Sequence, residues 1–179
     1  MSTTPPSSKL DILQDDGEAV LVSMGEVRFV AFNTGIKAIG TRNLGSCSVV
    51  VIASKDGALL AHIPPRPNSH DPDPYAGDNN VRRMMTEIES LHKRCKAAGY
   101  FADGDGVIVC AWYNGRVALM DQVQIMRQGL GAMGYNNPIM RSYDVLGNRD
   151  RPGQGSVHVD STERTTQGKP IIYIEDRPI

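Results

Sequence analysis

The sequence predicts an α+β fold, layered as an α/β/β sandwich with mixed sheets and two main helices. Three observations lead there. Short apolar runs bounded by turn residues crowd the chain up to Ile63. Two amphipathic stripes of helical period come later, at residues 78–98 and 119–133. Further strand-like runs lie between and after those stripes. Strands in runs, with helices inserted afterwards, suit segregated layers better than a regular βαβ alternation.

Met1 to Lys9 is rich in Ser, Thr and Pro, and residues 1–15 are read as a disordered tail before a single domain at 16–179. Asp15, Asp16 and Gly17 mark a turn. Residues 19–24, 27–32 and 36–41 read as strands, the first two joined at Gly25-Glu26. Residues 49–53 and 58–63 are continuous Val-, Ile- and Leu-rich runs, as expected of strands buried on both faces. Residues 64–77 form a proline-rich loop that leaves directly from His62, a candidate lip for a substrate or a plain connector.

Val81, Met84, Met85, Ile88, Leu91, Cys95 and Ala98 define the first helix, with Asp78 as N-cap and Gly99 at C′. Cys95 falls on its buried stripe and His92 one step to the side. Residues 107–113 read as a strand that buries Cys110. Leu119, Val123, Met126, Leu130 and Met133 define the second helix, which ends at Gly134. Residues 139–146 are another strand, and residues 156–159 and 171–174 a closing hairpin. His158 alternates with Val157 and Val159, so it faces solvent or a second layer.

Composition narrows the function classes. The 179 residues are 40% hydrophobic and 22% charged, with a formal net charge of −1. That is a globular composition without the basic excess expected of a nucleic-acid or anionic-membrane binder. No apolar run nears the ~20 residues that span a bilayer, and no basic-then-apolar leader is evident. Three irregularly spaced cysteines argue against a disulfide framework and for a reducing, cytoplasmic setting. Acidic residues at 71, 73 and 78, and the Asp103-Gly104-Asp105-Gly106 turn, lack a recognised metal-ligand spacing.

The chemistry concentrates in TRNLGSCSVVVIASKDGALLAHI, residues 41–63. If Ser54, Lys55, Asp56 and Gly57 form the hairpin loop, Ala53 pairs with Ala58 and His62 lies opposite Val49. Cys47 and His62 then share a face as diagonal neighbours, with roughly 7–8 Å between backbones. If Asp56-Gly57 alone is the loop, His62 moves opposite Val51 and the pair separates to about 13 Å. A slip of one residue would put His62 on the other face. A same-face Cys–His pair is the minimal constellation for thiol nucleophilic catalysis. The small-residue turn before Cys47, with Gly45 and Ser46, offers backbone N–H groups for an oxyanion. The same residues also fit a small buried thiol and a hydrogen-bonded rim histidine.

The run TRNLGSC, an apolar strand, a Gly turn and AHIPP together resemble the CheD family of chemoreceptor glutamine deamidases. Val22 to Glu26, matching a V-x-x-G-E opening, and Tyr75-Ala76-Gly77 extend the resemblance, which covers roughly residues 20–175. This chain departs from the pattern in Ile63-Pro64-Pro65 after the histidine and in an unusually polar loop at residues 147–155. The resemblance implies a three-layer sandwich related to that of the cytotoxic necrotizing factor toxins. It further implies Cys47 as nucleophile, His62 as base and Thr41 as the residue that orients the imidazole.

The expected activity is therefore hydrolysis of a protein glutamine side chain to glutamate with release of ammonia, through a Cys47 thioester and without a cofactor. The expected partner is a protein bearing the target glutamine, not nucleic acid or membrane. Two alternatives stay open: a non-catalytic binding module on the same fold, and a small-molecule amidase using the same dyad.

Overall fold

The computed structural model describes residues 7–179. In chain order the elements are α1 (Lys9–Asp15), β1 (Ala19–Leu21), β2 (Val27–Ala31), β3 (Ala38–Thr41), β4 (Ser48–Ala53), β5 (Gly57–Ile63), α2 (Ala76–Ala97), β6 (Asp105–Tyr113), β7 (Arg116–Val117), α3 (Met120–Ala132), β8 (Ile139–Asp144), β9 (Val157–Arg164), β10 (Pro170–Ile174) and β11 (Arg177–Pro178). They build two sheets. One is five-stranded in the order β1-β3-β9-β10-β11. The other is six-stranded, β2-β5-β4-β6-β7, with β8 running parallel to β6.

β4 and β5 sit at the centre of the larger sheet and are buried along their whole length. Their alternate residues feed two cores, as period-2 side chains must. Val49, Val51, Ala58 and Leu60 face the smaller sheet and meet Ile39, Val157, Val159 and Ile172. Val50, Ile52, Leu59 and Ala61 face α2 and α3 and meet Val81, Met84, Ile88, Met126 and Leu130. The expected layered α+β sandwich is thus the observed architecture: helices, sheet, sheet.

The β4–β5 register follows the longer of the two loops weighed. Ala53 pairs with Ala58 and Val49 with His62. Ser54 closes the turn, its N–H donating to the Gly57 carbonyl at 2.9 Å and its hydroxyl to the same oxygen at 3.1 Å. A two-residue loop would leave that pair of donors without their acceptor.

Several expectations are corrected. The tail expected to be disordered through residue 15 is helical from Lys9 to Asp15, while residues 1–6 lie outside the described residues. Ser8 caps α1 in a capping box with Asp11, and Leu10 and Leu13 are buried. Leu10 packs where a Cβ on Gly40 would stand, 2.7 Å away, so α1 lies on the outer face of the smaller sheet behind Thr41. Consecutive β1 and β2 belong to different sheets. α2 starts two residues before Asp78, with Tyr75 rather than Asp78 at the N-cap and no side-chain cap bond, and Gly77 lies where a Cβ would stand 2.3 Å from the Pro65 carbonyl.

His92 is buried rather than flanking. It bonds the Tyr135 hydroxyl at 2.8 Å and stacks on Phe101. His158 is fully buried against the ring of Tyr173 on the α1 side of its sheet.

Candidate active site

Thr41 ends β3 in one sheet and His62 nears the end of β5 in the other, so the two meet across the inter-sheet core. The distance from Thr41 Oγ1 to His62 Nδ1 is 2.6 Å, and Thr41 Oγ1 lies 2.7 Å from the Val22 carbonyl oxygen. A hydroxyl has one proton, and the carbonyl can only accept. Thr41 therefore donates to Val22 and accepts from Nδ1–H. That arrangement fixes the tautomer: Nδ1 carries the proton and Nε2 carries the lone pair.

The segment around Gly25 completes the cradle. The His62 carbonyl accepts from the Gly25 N–H at 2.8 Å, and the His62 N–H donates to the Glu26 carbonyl at 3.1 Å. Gly25 has φ +83°, which its hydrogen spares from a steric penalty. The Glu26 carboxylate accepts from the Ser23 N–H at 3.0 Å and closes the turn. Val22, Gly25 and Glu26 thus each contribute to holding the imidazole or its backbone.

His62 is 3% exposed, and burial drives its pKa down to about 4, so it is neutral at pH 7. Its Nε2 is buried and has no hydrogen-bond partner among the described residues. Buried polar atoms are rarely left so. His62 also lines a cavity of about 440 Å³, together with Val22, Ser23, Met24, Arg42 and Asn43, whereas Cys47 does not line it. Arg42, on this rim, is held from behind by Asp11 of α1 at 2.8 Å and by Gln14.

Cys47 immediately precedes β4 and belongs to the same inter-sheet cluster. Burial pushes its thiol pKa up, while the Ser46 backbone N–H pulls it back toward the thiolate. Gly45 and Ser46 are exposed, and their N–H groups donate to no carbonyl among the described residues. The thiol and the imidazole are both neutral at pH 7, and no hydrogen bond joins them among the described residues.

Exposure does not separate the three thiols: Cys47, Cys95 and Cys110 are 6%, 8% and 3% exposed. All are free, and burial raises the pKa of each. Surroundings do separate them. Cys110 donates to the Arg141 carbonyl at 3.4 Å, and Cys95 packs among the α2 and α3 side chains.

The proline-rich loop leaves toward the helices. The Pro64 carbonyl accepts from Asn80 at 3.3 Å and the Pro65 carbonyl from Gln122 at 2.9 Å. No residue of 64–77 lines the cavity beside His62. The loop instead borders a separate cavity with Leu119 and Gln122. The rim near His62 comes from residues 21–24 and 42–43.

Sequence reasoning missed Tyr143, whose hydroxyl donates to the Cys47 carbonyl at 2.7 Å, and Arg149, which donates to the Leu44 carbonyl at 2.7 Å. No local pattern ties residues 143 and 149 to residues 44 and 47. The parallel β6–β8 pairing does so for Tyr143, by setting it beside Ala111.

Comparison with protein-family models and with curated proteins returned no match to this chain.

Proposed function

We propose that the chain is a thiol-dependent amide hydrolase and, within that class, a protein-glutamine deamidase of the CheD-like kind. The observation that carries the reading is the Thr41 hydroxyl, committed to Val22 and to Nδ1, which leaves His62 Nε2 as a buried, unspent base.

In the proposed reaction Nε2 takes the Cys47 thiol proton as sulfur attacks the carboxamide carbon. The oxyanion is met by N–H groups of residues 45–47. The imidazolium returns its proton to the amide nitrogen, the C–N bond breaks, and ammonia leaves a thioester. Nε2 then deprotonates a water, which attacks the thioester carbon. The C–S bond breaks, Cys47 regains its proton from the imidazolium, and glutamate is released. A base that is neutral at pH 7 suits both proton transfers. No cofactor enters these steps, and three unpaired cysteines suit a cytoplasmic setting.

The buried, protonated thiol also supports a non-catalytic reading on the same fold. Product distinguishes the two. Incubation with candidate glutamine-bearing proteins should give a mass gain of about one dalton per site and stoichiometric ammonia. Cys47→Ala should give neither. Identical mass spectra for the native protein and the variant, across folded proteins and glutamine peptides, would refute hydrolysis.

A further inference from the structure

We propose that Tyr143 and Arg149 are positioning residues, which clamp the two ends of the Cys47 turn and thereby set the thiol and the free N–H groups against His62. The inference deepens the thiol-hydrolase reading and, for the His62 part, rests on it.

The turn spans residues 44–47, just ahead of β4. At its far end the Tyr143 hydroxyl donates to the Cys47 carbonyl at 2.7 Å. Tyr143 is 2% exposed, and burial lifts its pKa well above the usual phenol range, with the Cys47 charge adding to the effect. It therefore remains a donor at any pH at which the thiol is reactive. A buried tyrosine hydroxyl has to find an acceptor. This one takes the carbonyl of the nucleophile itself, where the β4 strand has not yet begun.

At the near end both backbone groups of Leu44 are engaged. Its carbonyl accepts from Arg149 Nη1 at 2.7 Å, and its N–H donates to the Gly155 carbonyl at 3.0 Å. Gly155 has φ +67°, and a Cβ there would stand 3.0 Å from the Leu44 oxygen. Only glycine allows that approach without displacing the turn. The polar loop at residues 147–155 is therefore structural on this side.

The loop is itself anchored. Arg149 Nη2 donates to the Val145 carbonyl at 3.2 Å. Gln154 and the Gly155 N–H donate to the Glu175 carboxylate at 2.6 and 3.1 Å. Between the two clamped ends lie Gly45 and Ser46, exposed and with N–H groups that no carbonyl takes among the described residues. Fixed ends and open central donors are what preorganised stabilisation of an oxyanion requires.

The test combines amide hydrogen exchange with iodoacetamide alkylation of Cys47 on the full chain. Tyr143→Phe keeps the ring and removes the donor. Arg149→Gln changes an exposed side chain, and it carries the test if Tyr143→Phe fails to fold. In each variant, exchange of the Leu44 amide, which donates to the Gly155 carbonyl, should speed up about ten-fold, the scale of one lost hydrogen bond, while Val49 to Ile52 stay protected. The factor by which His62→Gln slows alkylation should also shrink by about three-fold or more in each variant, since loosened geometry weakens the base's hold on the thiol.

A merely structural role would change absolute rates and leave the His62 factor intact, which would overturn positioning. Unchanged exchange at the Leu44 amide would overturn the clamp. If His62→Gln leaves alkylation of the otherwise native chain unchanged, the dyad reading falls, and the exchange result alone decides the clamp.

Discussion

Two buried histidines on opposite sides of the larger sheet meet a hydroxyl at hydrogen-bond distance, and only one of them makes a candidate site. His92, in the helical layer, bonds Tyr135 at 2.8 Å and stacks on Phe101. His62, in the inter-sheet layer, bonds Thr41 at 2.6 Å. Burial lowers the pKa of both. The difference lies in the surroundings. His92 is packed between aromatic rings, with Phe101 on one side and Tyr135 edge-on. His62 has an Nε2 without a partner among the described residues, lines a cavity, and shares the inter-sheet layer with the Cys47 thiol. An imidazole packed between rings stabilises a fold; an imidazole held at a cavity can move a proton.

The largest expected effect separates the two histidines by activity. His62→Gln should lower turnover by about 10²–10⁴-fold, the usual worth of a general base. His92→Gln should leave turnover near its native value and lower stability by about 1 kcal/mol. Ammonia release and urea midpoints measure both. Equal losses of turnover would erase the distinction.

The hydroxyls come next. Thr41→Val removes the group that fixes the tautomer and should lower kcat about ten-fold with little change in KM. Tyr135→Phe should move only the unfolding midpoint. If Thr41→Val raised KM instead, Thr41 would be contacting substrate rather than orienting His62.

The smallest effect is on the pH dependence of stability. The folded-state pKa of His62, about 4, lies below its ordinary 6.5, so between those values the unfolded chain binds more protons. The stabilising contribution is complete above pH 6.5 and is lost as the pH falls toward 4. His62→Gln should therefore flatten the decline of the urea midpoint over that window. His92 and His158 are shifted the same way, so part of the decline should remain.

Much of the inter-sheet region was legible in the sequence because its key contacts are local. Cys47, His62 and the Gly45-Ser46 turn lie on one hairpin, and the turn residues Ser54 to Gly57 set its register. Thr41 was legible as the orienting residue through resemblance. That its hydroxyl, and not its carbonyl, does the holding depends on Val22, which arrives from another strand. Tyr143 and Arg149 were hidden for the same reason: their contacts with the Cys47 turn span 96 and 105 residues.

The helical region misled in a different way. Helical periodicity places His92 beside the stripe, but Tyr135, after α3, and Phe101 close over it. At the N-terminus a Ser-, Thr- and Pro-rich composition masked a capping box and two apolar residues, which suffice to dock a seven-residue helix on a sheet. Composition reports averages, whereas α1 depends on Ser8, Leu10, Asp11 and Leu13 in register.

Thr41 holds His62 as the Nδ1–H tautomer, with Nε2 bare among the described residues. Nitrogen-15 NMR of the imidazole, followed from pH 8 downward, reads this directly. The account predicts a protonated Nδ1 and an unprotonated Nε2 for His62 at pH 7, with the imidazolium forming only as the pH approaches about 4. In Thr41→Val the two tautomers should mix. A His62 that is Nε2–H or already imidazolium at pH 7 would contradict the account, because the nitrogen assigned to take the Cys47 proton would already carry one.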